Sequence, residues 1–342
     1  KKSKITREEL GTIQQNLFKQ GIVSSLEKSG DRFILKVLRT SSAPKNKYFT
    51  NIILFLLTII STMVTGSLLT GHDPFVSWQE LLAGSSYSFA LLTILFCHEM
   101  GHYLSARYYK MNASLPYFIP FFIPFVFHPG TMGAFIKMRS SIPNKKALFD
   151  IGVNGPLAGL IASLIFLIVG FNQLPDAAGV KNIIAQIHPL DDNEGLNIVL
   201  GNSFLFDYLI HVFNAQHLPM DEIYHFPFIF AGWFGLLVTA INLMPIGQLD
   251  GGHITYALFG DRARYIAKAA FILFIVLNVY LISNFHSFIW VLWIILILVF
   301  IRFRHPPTLD NSIKLDARRR AVGYFSYIIF IVTFCPLPFH IY

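Results

Sequence analysis

Long apolar runs separated by short polar links dominate the hydropathy pattern of this 342-residue chain. A helix needs roughly 20 mainly apolar residues to cross the hydrocarbon core of a bilayer. Runs of about this length recur along the sequence, so we predict an all-α polytopic membrane protein with about seven transmembrane helices. The predicted ranges are 49–69, 87–108, 147–171, 226–243, 267–282, 288–301 and 321–334.

Two polar segments flank or interrupt these runs. Residues 1–48 are polar and basic, with an alternating pattern at 33–38 that predicts a short strand, and we expect a small cytoplasmic extension there. Residues 172–225 form a long acidic link that we expect on the outer side, and its portion 197–213 predicts a helix at the membrane interface. The histidines of this link, at positions 188, 211, 217 and 225, share no spacing and are expected to be ordinary loop residues. The membrane domain is therefore predicted to span 49–339.

The stretch from Pro116 to Arg139 departs from the helical pattern. Prolines interrupt its apolar part, 117–127, which is too short and too broken for a spanning helix. Irregular backbone at membrane depth is tolerated only where protein or a water-filled cavity surrounds it, so we predict a re-entrant segment. The following residues, 130–139, favour a short β-strand, expected near the His98–His102 pattern described below, that would pair with an extended peptide. An ordinary loop is the alternative.

Composition and charge support a membrane protein and exclude a nucleic-acid-binding one. Only 13% of the residues are charged and 54% are hydrophobic, whereas soluble proteins have about 25% charged residues. With the N-terminus in the cytoplasm, the seven predicted helices leave 26 of the 27 Lys and Arg residues on the cytoplasmic side, and only Lys181 outside. This follows the positive-inside rule, so the net charge of +8 does not require a nucleic-acid partner. A bacterial plasma membrane and an organelle membrane fit equally well.

The second predicted helix carries the pattern His98-Glu99-Met100-Gly101-His102. Histidines four residues apart lie on one face of a helix, where both imidazoles can bind one zinc ion with the glutamate as general base. The pattern would arise roughly 0.01 times in a shuffled chain of this composition. Two satisfied core histidines are the bland alternative, but ionisable groups inside a membrane are costly and usually functional.

Catalytic zinc usually has three protein ligands and one open position. Asp250 is the best candidate for the third, because it follows the proline-broken end of the fourth helix at the same predicted depth as the histidine pair. Asp150, His253 and His128 are weaker candidates. Asn154, in the third helix, fits either a packing hydrogen bond or a polar contact near the site.

The His98–His102 pattern together with Asn242-Leu243-Met244-Pro245-Ile246-Gly247-Gln248-Leu249-Asp250-Gly251 resembles the site-2 protease family of intramembrane zinc metalloproteases. The extra first helix and the basic extension are similar to the branch with a longer N-terminus. The resemblance implies one zinc ion per chain held by His98, His102 and Asp250, with Glu99 as general base and Asn242 near the reacting carbonyl. Candidates for substrate binding are Gly133, Ala134, Phe135, Ile136 and Asn154.

The predicted function is hydrolysis of peptide bonds within or near transmembrane segments, in regulated intramembrane proteolysis. Substrates would be membrane proteins with one or a few spans, reached within the lipid bilayer. A metal-ion or proton transporter that uses the same His and Asp residues is the alternative, since broken helices and buried polar residues are also typical of transporters. An inactive family member that binds membrane proteins is a third possibility.

Overall fold

The computed structural model describes residues 48–123, 128–188, 198–300 and 305–341, together with two N-terminal strands and the isolated positions 13 and 17. Helices make up most of the described chain. They are α1 (Tyr48–Leu69), α2 (Trp78–Ala83), α3 (Ser85–Tyr108), α4 (Lys145–Gln173), α5 (Ala177–Ile187), α6 (Phe204–Val212), α7 (Pro227–Leu243), α8 (Asp250–Phe259), α9 (Ala263–Phe285), α10 (Val291–Phe300) and α11 (Ala317–Thr333).

Three two-stranded antiparallel sheets accompany the helices within the described ranges. The strands β1 (Ile22–Ser29) and β2 (Arg32–Arg39) form an N-terminal hairpin. The strands β3 (Tyr117–Pro120) and β4 (Thr131–Phe135) pair with an irregularity beside Ile119. The short strands β5 (Ile198–Leu200) and β6 (Phe339–Ile341) tie the polar link to the C-terminal segment. The strands predicted at 33–38 and within 130–139 are both present, but the description all-α with a single short strand near the site understated the β content.

The helix α4 lies at the centre of the bundle, packed against α3, α7 and α8. Its contact with α3 is unusually close, because a Cβ added at Gly101 would lie only 2.3 Å from the Asn154 carbonyl oxygen. Small residues allow this approach, as at many helix contacts in membranes. The result is that the face of α3 that carries both histidines is pressed against the start of α4.

Helix α1 buries its polar face and exposes its apolar one. The buried residues of α1 are Asn51, Thr58, Ser61, Thr62, Thr65, Gly66 and Ser67. Asn51 donates to the Leu115 and Pro116 carbonyls at 3.0 and 2.9 Å, and Ser61 donates to the Gly130 carbonyl at 2.7 Å. Asn51 thus supplies donors to the Leu115 and Pro116 carbonyls, and Ser61 adds a second donor to the Gly130 carbonyl, which also accepts from the Phe121 backbone N–H. We call residues 112–121 with 130–139 the ribbon, because backbone hydrogen bonds continue the β3–β4 pairing to Asn112 and Arg139.

A helix was found at each of the seven predicted spans, with ends displaced by a few residues. By length and composition, three segments of the described chain qualify as membrane spans: Tyr48–Leu69, Lys145–Gln173 and Asp250–Phe285. Pro227–Leu243 is apolar but shorter. The third segment includes α8 and α9, so the helical stretch there begins well before the predicted start at 267. Residues 124–127 of the predicted re-entrant segment and residue 301 of the sixth predicted span lie outside the described residues.

Candidate active site

Helix α3 presents His98 and His102 on the same face, one turn apart. Their Nε2 atoms lie 3.0 Å from each other, and the rings meet edge to face. Both residues are buried, with 5% and 7% of their surface exposed. Two imidazole nitrogens that point at one spot in a buried environment form a binding position for a cation.

The chain reversal after α7 brings Asp250 to this pair. Helix α7 ends at Leu243, and a tight turn with Gly247 at φ +58° leads into α8, whose first residue is Asp250. A Cβ at Gly251 would lie 2.0 Å from the Leu243 carbonyl oxygen, so this position accepts only glycine without rearrangement. The Asp250 Oδ2 atom lies 3.4 Å from His98 Nε2 and 3.2 Å from His102 Nε2. The sequence prediction that Asp250 approaches the histidines thus agrees with the geometry.

The spacing of these three atoms fits a zinc ion. Zinc binds imidazole nitrogen and carboxylate oxygen at about 2.0–2.2 Å in tetrahedral geometry, which separates neighbouring ligand atoms by about 3.3–3.6 Å. The observed separations are 3.0, 3.2 and 3.4 Å. The Nδ1 atom of His102 lies 2.8 Å from the Ile151 carbonyl oxygen. A carbonyl oxygen accepts a hydrogen bond only from a nitrogen that bears a proton. Nδ1 therefore carries the proton, and Nε2 keeps the lone pair that a metal requires.

Glycines of α4 make room for the imidazole rings. A Cβ at Gly155 would lie 2.2 Å from His102 Nε2, and one at Gly159 would lie 3.1 Å from His98 Nδ1. The His98 Nδ1 atom is itself buried without a hydrogen-bond partner among the described residues. The Asn154-Gly155-Pro156 sequence therefore serves the site through the absence of a side chain at Gly155, which the residue pattern alone did not reveal.

Glu99 lies beside the histidine pair and touches the ribbon. Its carboxylate is within 4.8 Å of the imidazole nitrogens of His98 and His102, and only 7% of the residue is exposed. The backbone of Ile136 lies close to this carboxylate. Ile136 directly follows β4, and β4 packs against α3. The predicted substrate-binding residues 133–136 therefore lie next to the predicted general base.

Gly133 has a backbone conformation that favours glycine. Its φ of +93° lies in a region that L side chains rarely adopt, although a Cβ there would meet no atom within 4 Å. Ala134 is half-buried opposite Phe118, and Phe135 is exposed and stacked on Tyr117. In the described chain β4 pairs along one edge only, with β3.

The other ligand candidates have different partners. Asp150 forms a two-pronged ion pair with Arg319, at 2.8 and 2.7 Å, and accepts a hydrogen bond from the Tyr109 hydroxyl. His253 lies 2.6 Å from His305 through ring nitrogens. His128 accepts a hydrogen bond from the Gly130 backbone N–H. None of these contacts directs the side chain to the His98–His102 pair.

Two predicted polar residues have a looser relation to the cluster. Asn242 is half-buried in the last turn of α7, and the described residues show no hydrogen bond from its amide to His98, His102 or Asp250. Asn154 donates to Ser105 of α3 at 2.7 Å, which is the packing contact foreseen as one alternative. Its proposed contact with substrate stays a prediction.

The Arg319 cluster was missed by sequence analysis. It joins the end of α3, the start of α4 and the first turn of α11 through Tyr109, Asp150 and Arg319. Burial and the neighbouring Asp150 carboxylate raise the pKa of Tyr109 to about 12. Hydrogen bonds from the Arg319 backbone and side chain lower the pKa of Asp316 to about 2. Arg319 is 169 residues from Asp150, and no local pattern links the two.

The comparison with known families matches the motif-bearing part of the chain. A family model described as Peptidase family M50 covers residues 86–283, which is more than half of the sequence. This chain belongs to peptidase family M50. The resemblance to site-2 proteases is thereby confirmed, and the matched range of this M50 chain contains His98, Glu99, His102 and Asp250.

Curated relatives of the M50 chain are plant proteins with zinc metalloprotease names. The chain is 29% identical over 313 residues to "Probable zinc metalloprotease EGY1, chloroplastic" of Oryza sativa subsp. japonica, covering 85% of this chain and 51% of the relative. It is 29% identical over 266 residues to the Arabidopsis thaliana protein of the same name, covering 77% and 44%. The chain thus spans about half the length of the curated relatives it matches. No solved structure matches it.

Proposed function

We propose that this protein is a zinc-dependent intramembrane endopeptidase whose metal is held by His98, His102 and Asp250. The observation that carries the proposal is the convergence of two imidazole nitrogens and one carboxylate oxygen within 3.0–3.4 Å, next to a buried glutamate. Membership of family M50 and the names of the plant relatives support the same chemistry.

Bound zinc would act as a Lewis acid that lowers the pKa of water and polarises a carbonyl oxygen. The chain's own residues prepare this chemistry. Ile151 holds His102 in the tautomer that leaves Nε2 bare. Glu99, which lies beside the Ile136 backbone, takes the proton of the attacking water and returns it to the leaving amine. Asn242, near the end of α7, is proposed to donate to the reacting carbonyl.

The substrate is proposed to be a transmembrane helix that unwinds locally and pairs with β4. Carbonyls of an intact helix are bonded within the helix, so a peptide must become extended before attack. The edge of β4 not paired with β3, next to Ile136 and Glu99, offers backbone groups for this pairing. Single-span or few-span proteins of the same bilayer fit this site, and regulated intramembrane proteolysis is the proposed process.

The ribbon is proposed to be re-entrant. Its hydrogen bonds with α1 run from Asn51 to Ser61, a distance of roughly 15 Å along a helix, and α1 qualifies as a membrane span. The buried hydroxyl and amide groups of α1 would satisfy the ribbon's backbone within the bilayer. The charge distribution supports seven spans with a cytoplasmic N-terminus, as predicted from the sequence.

Cleavage by the purified protein tests this function. The chain, reconstituted with zinc, is expected to cut a single-span substrate in proteoliposomes, and a chelator should stop cleavage. Glu99→Gln should retain the metal while cleavage falls by about 10²–10⁴-fold, since a positioned acid or base contributes that much. Gln248→Asn, an exposed change in the turn before Asp250, is the control. Cleavage by Glu99→Gln at the unaltered rate would contradict the assigned base, and zinc flux across the vesicle without cleavage would support the transporter.

A further inference from the structure

Three side chains far from the active site bring metal-binding atoms together. His188 follows the last residue of α5, and Glu222 and His225 belong to the 3-10 turn just before α7. The Nε2 atoms of the two histidines lie 3.0 Å from each other, and His225 Nε2 lies 2.9 Å from Glu222 Oε2. His188 Nε2 and Glu222 Oε2 are 3.8 Å apart. These separations bracket the spacing of about 3.3–3.6 Å between tetrahedral zinc ligands.

The hydrogen bonds around this cluster expose lone pairs to its centre. His225 Nδ1 donates its proton to the Leu69 carbonyl oxygen at the end of α1, so in the neutral ring Nε2 carries the lone pair. It nevertheless approaches Glu222 Oε2, a buried oxygen without a hydrogen-bond donor among the described residues. A lone-pair nitrogen and a carboxylate oxygen this close need a proton or a metal ion between them. His102 of the active site has the same arrangement, in which a backbone carbonyl binds Nδ1 and leaves Nε2 to face the metal position.

The position of the cluster makes it accessible to an ion. His225 is buried, whereas half of the His188 side chain is exposed. The histidines line a cavity of about 360 Å³ that His128 and the end of α1 also border. An ion held here would join α5, the turn before α7 and, through the Leu69 carbonyl, α1.

We propose that His188, Glu222 and His225 form a second metal site that binds Zn²⁺ or a similar transition-metal ion and secures the polar link to the membrane bundle. Two imidazoles and one carboxylate favour zinc, cobalt, nickel or copper over calcium or magnesium, which prefer oxygen ligands only. The sequence analysis took these histidines for ordinary loop residues, whereas in the structure His188 and His225 contact each other and Glu222. They lie 37 positions apart in the chain, too far for any motif spacing to reveal them.

Metal content measured on the full chain tests the proposal. The protein is purified in detergent, saturated with Zn²⁺, freed of weakly bound metal and analysed by elemental mass spectrometry. We expect two zinc ions per chain in the unaltered protein and one in His188→Ala or Glu222→Gln. Both substitutions spare the Leu69 contact, and a monodisperse elution profile checks that each variant is folded. With Co²⁺ in place of zinc, each variant should lose one of two visible absorption components.

His211→Ala is the matched control, because His211 lies in the same polar link beside a single carboxylate, Asp207, and both side chains are mainly exposed. It should keep two ions. A single ion in the unaltered protein that disappears with Asp250→Ala would overturn the second site and show that protons alone occupy it. Unchanged content in both His188→Ala and Glu222→Gln would also overturn it. If His188→Ala and Glu222→Gln lose metal but Asp250→Ala loses none, the second site is upheld. The assignment of Asp250 as a zinc ligand of the active site is then contradicted.

Discussion

Replacing Gly155 with alanine is expected to expel zinc from the active site while leaving the fold intact. The new Cβ would lie 2.2 Å from His102 Nε2, whereas the favourable distance between two non-bonded heavy atoms is about 3.5 Å. The imidazole must therefore move by more than about 1 Å, well beyond the roughly 0.2 Å tolerance of a zinc–ligand bond. Even a variant that kept its zinc would lose on the order of 100-fold in rate through a misplacement of about 1 Å, or about 2.7 kcal/mol of transition-state stabilisation.

The alanine also changes stability, in opposing directions. Overpacking of a tight helix contact costs about 1–3 kcal/mol, and the gain in helix propensity over glycine offsets about 1 kcal/mol. Gly235→Ala is the matched control, because its Cβ would lie 2.1 Å from Ser163 Oγ at the α4–α7 contact, away from the histidines. Zinc content, kcat/KM and thermal unfolding are measured for both variants. Full zinc content and activity in Gly155→Ala would refute the contact between Gly155 and His102.

Two further substitutions test the supports of the site. Asn51→Leu removes both hydrogen-bond donors to the ribbon and should lower the free energy of unfolding by about 1–3 kcal/mol, because two carbonyls lose their partner. The effect should be seen as faster amide hydrogen exchange at residues 112–121. Ile52→Leu, on the exposed face of α1, should leave the exchange rates unchanged. Arg319→Lys cannot keep the two-pronged pair with Asp150 and should lower the unfolding stability by about 1 kcal/mol in this partly exposed cluster. Exposed Arg318→Lys should leave stability unchanged. Equal behaviour of each variant and its control would contradict the assigned contact.

Local patterns predicted the elements of this fold well. The helix with His98 and His102 ends at Tyr108, as predicted, and the strand around Gly133 is present. Apolar run length and motif spacing are local properties, so they can be read from the chain. The approach of Asp250 could also be foreseen, because a proline-broken helix end at matching depth has few other places to go.

Contacts between distant segments could not be predicted in this way. The polar residues of α1 lie within a run that reads as a plain membrane span, and only the structure reveals the ribbon carbonyls that they satisfy. The fit of His102 against Gly155 depends on how two helices pack, to within a fraction of an ångström. The pair of Asp150 with Arg319 joins residues that are 169 positions apart in the chain. Each of these contacts supports the site without leaving a pattern in the sequence.

Zinc content after Asp250→Ala tests most directly whether the helix pair α3 and α8 forms one metal centre. The measurement is made in the His188→Ala background, so that the second cluster contributes no metal. Asp150→Asn is the comparison, since Asp150 is the nearby acid that pairs with Arg319 instead. The account predicts no zinc in the Asp250 variant and one ion per chain in the Asp150 variant. One ion retained without Asp250, and lost without Asp150, would contradict it.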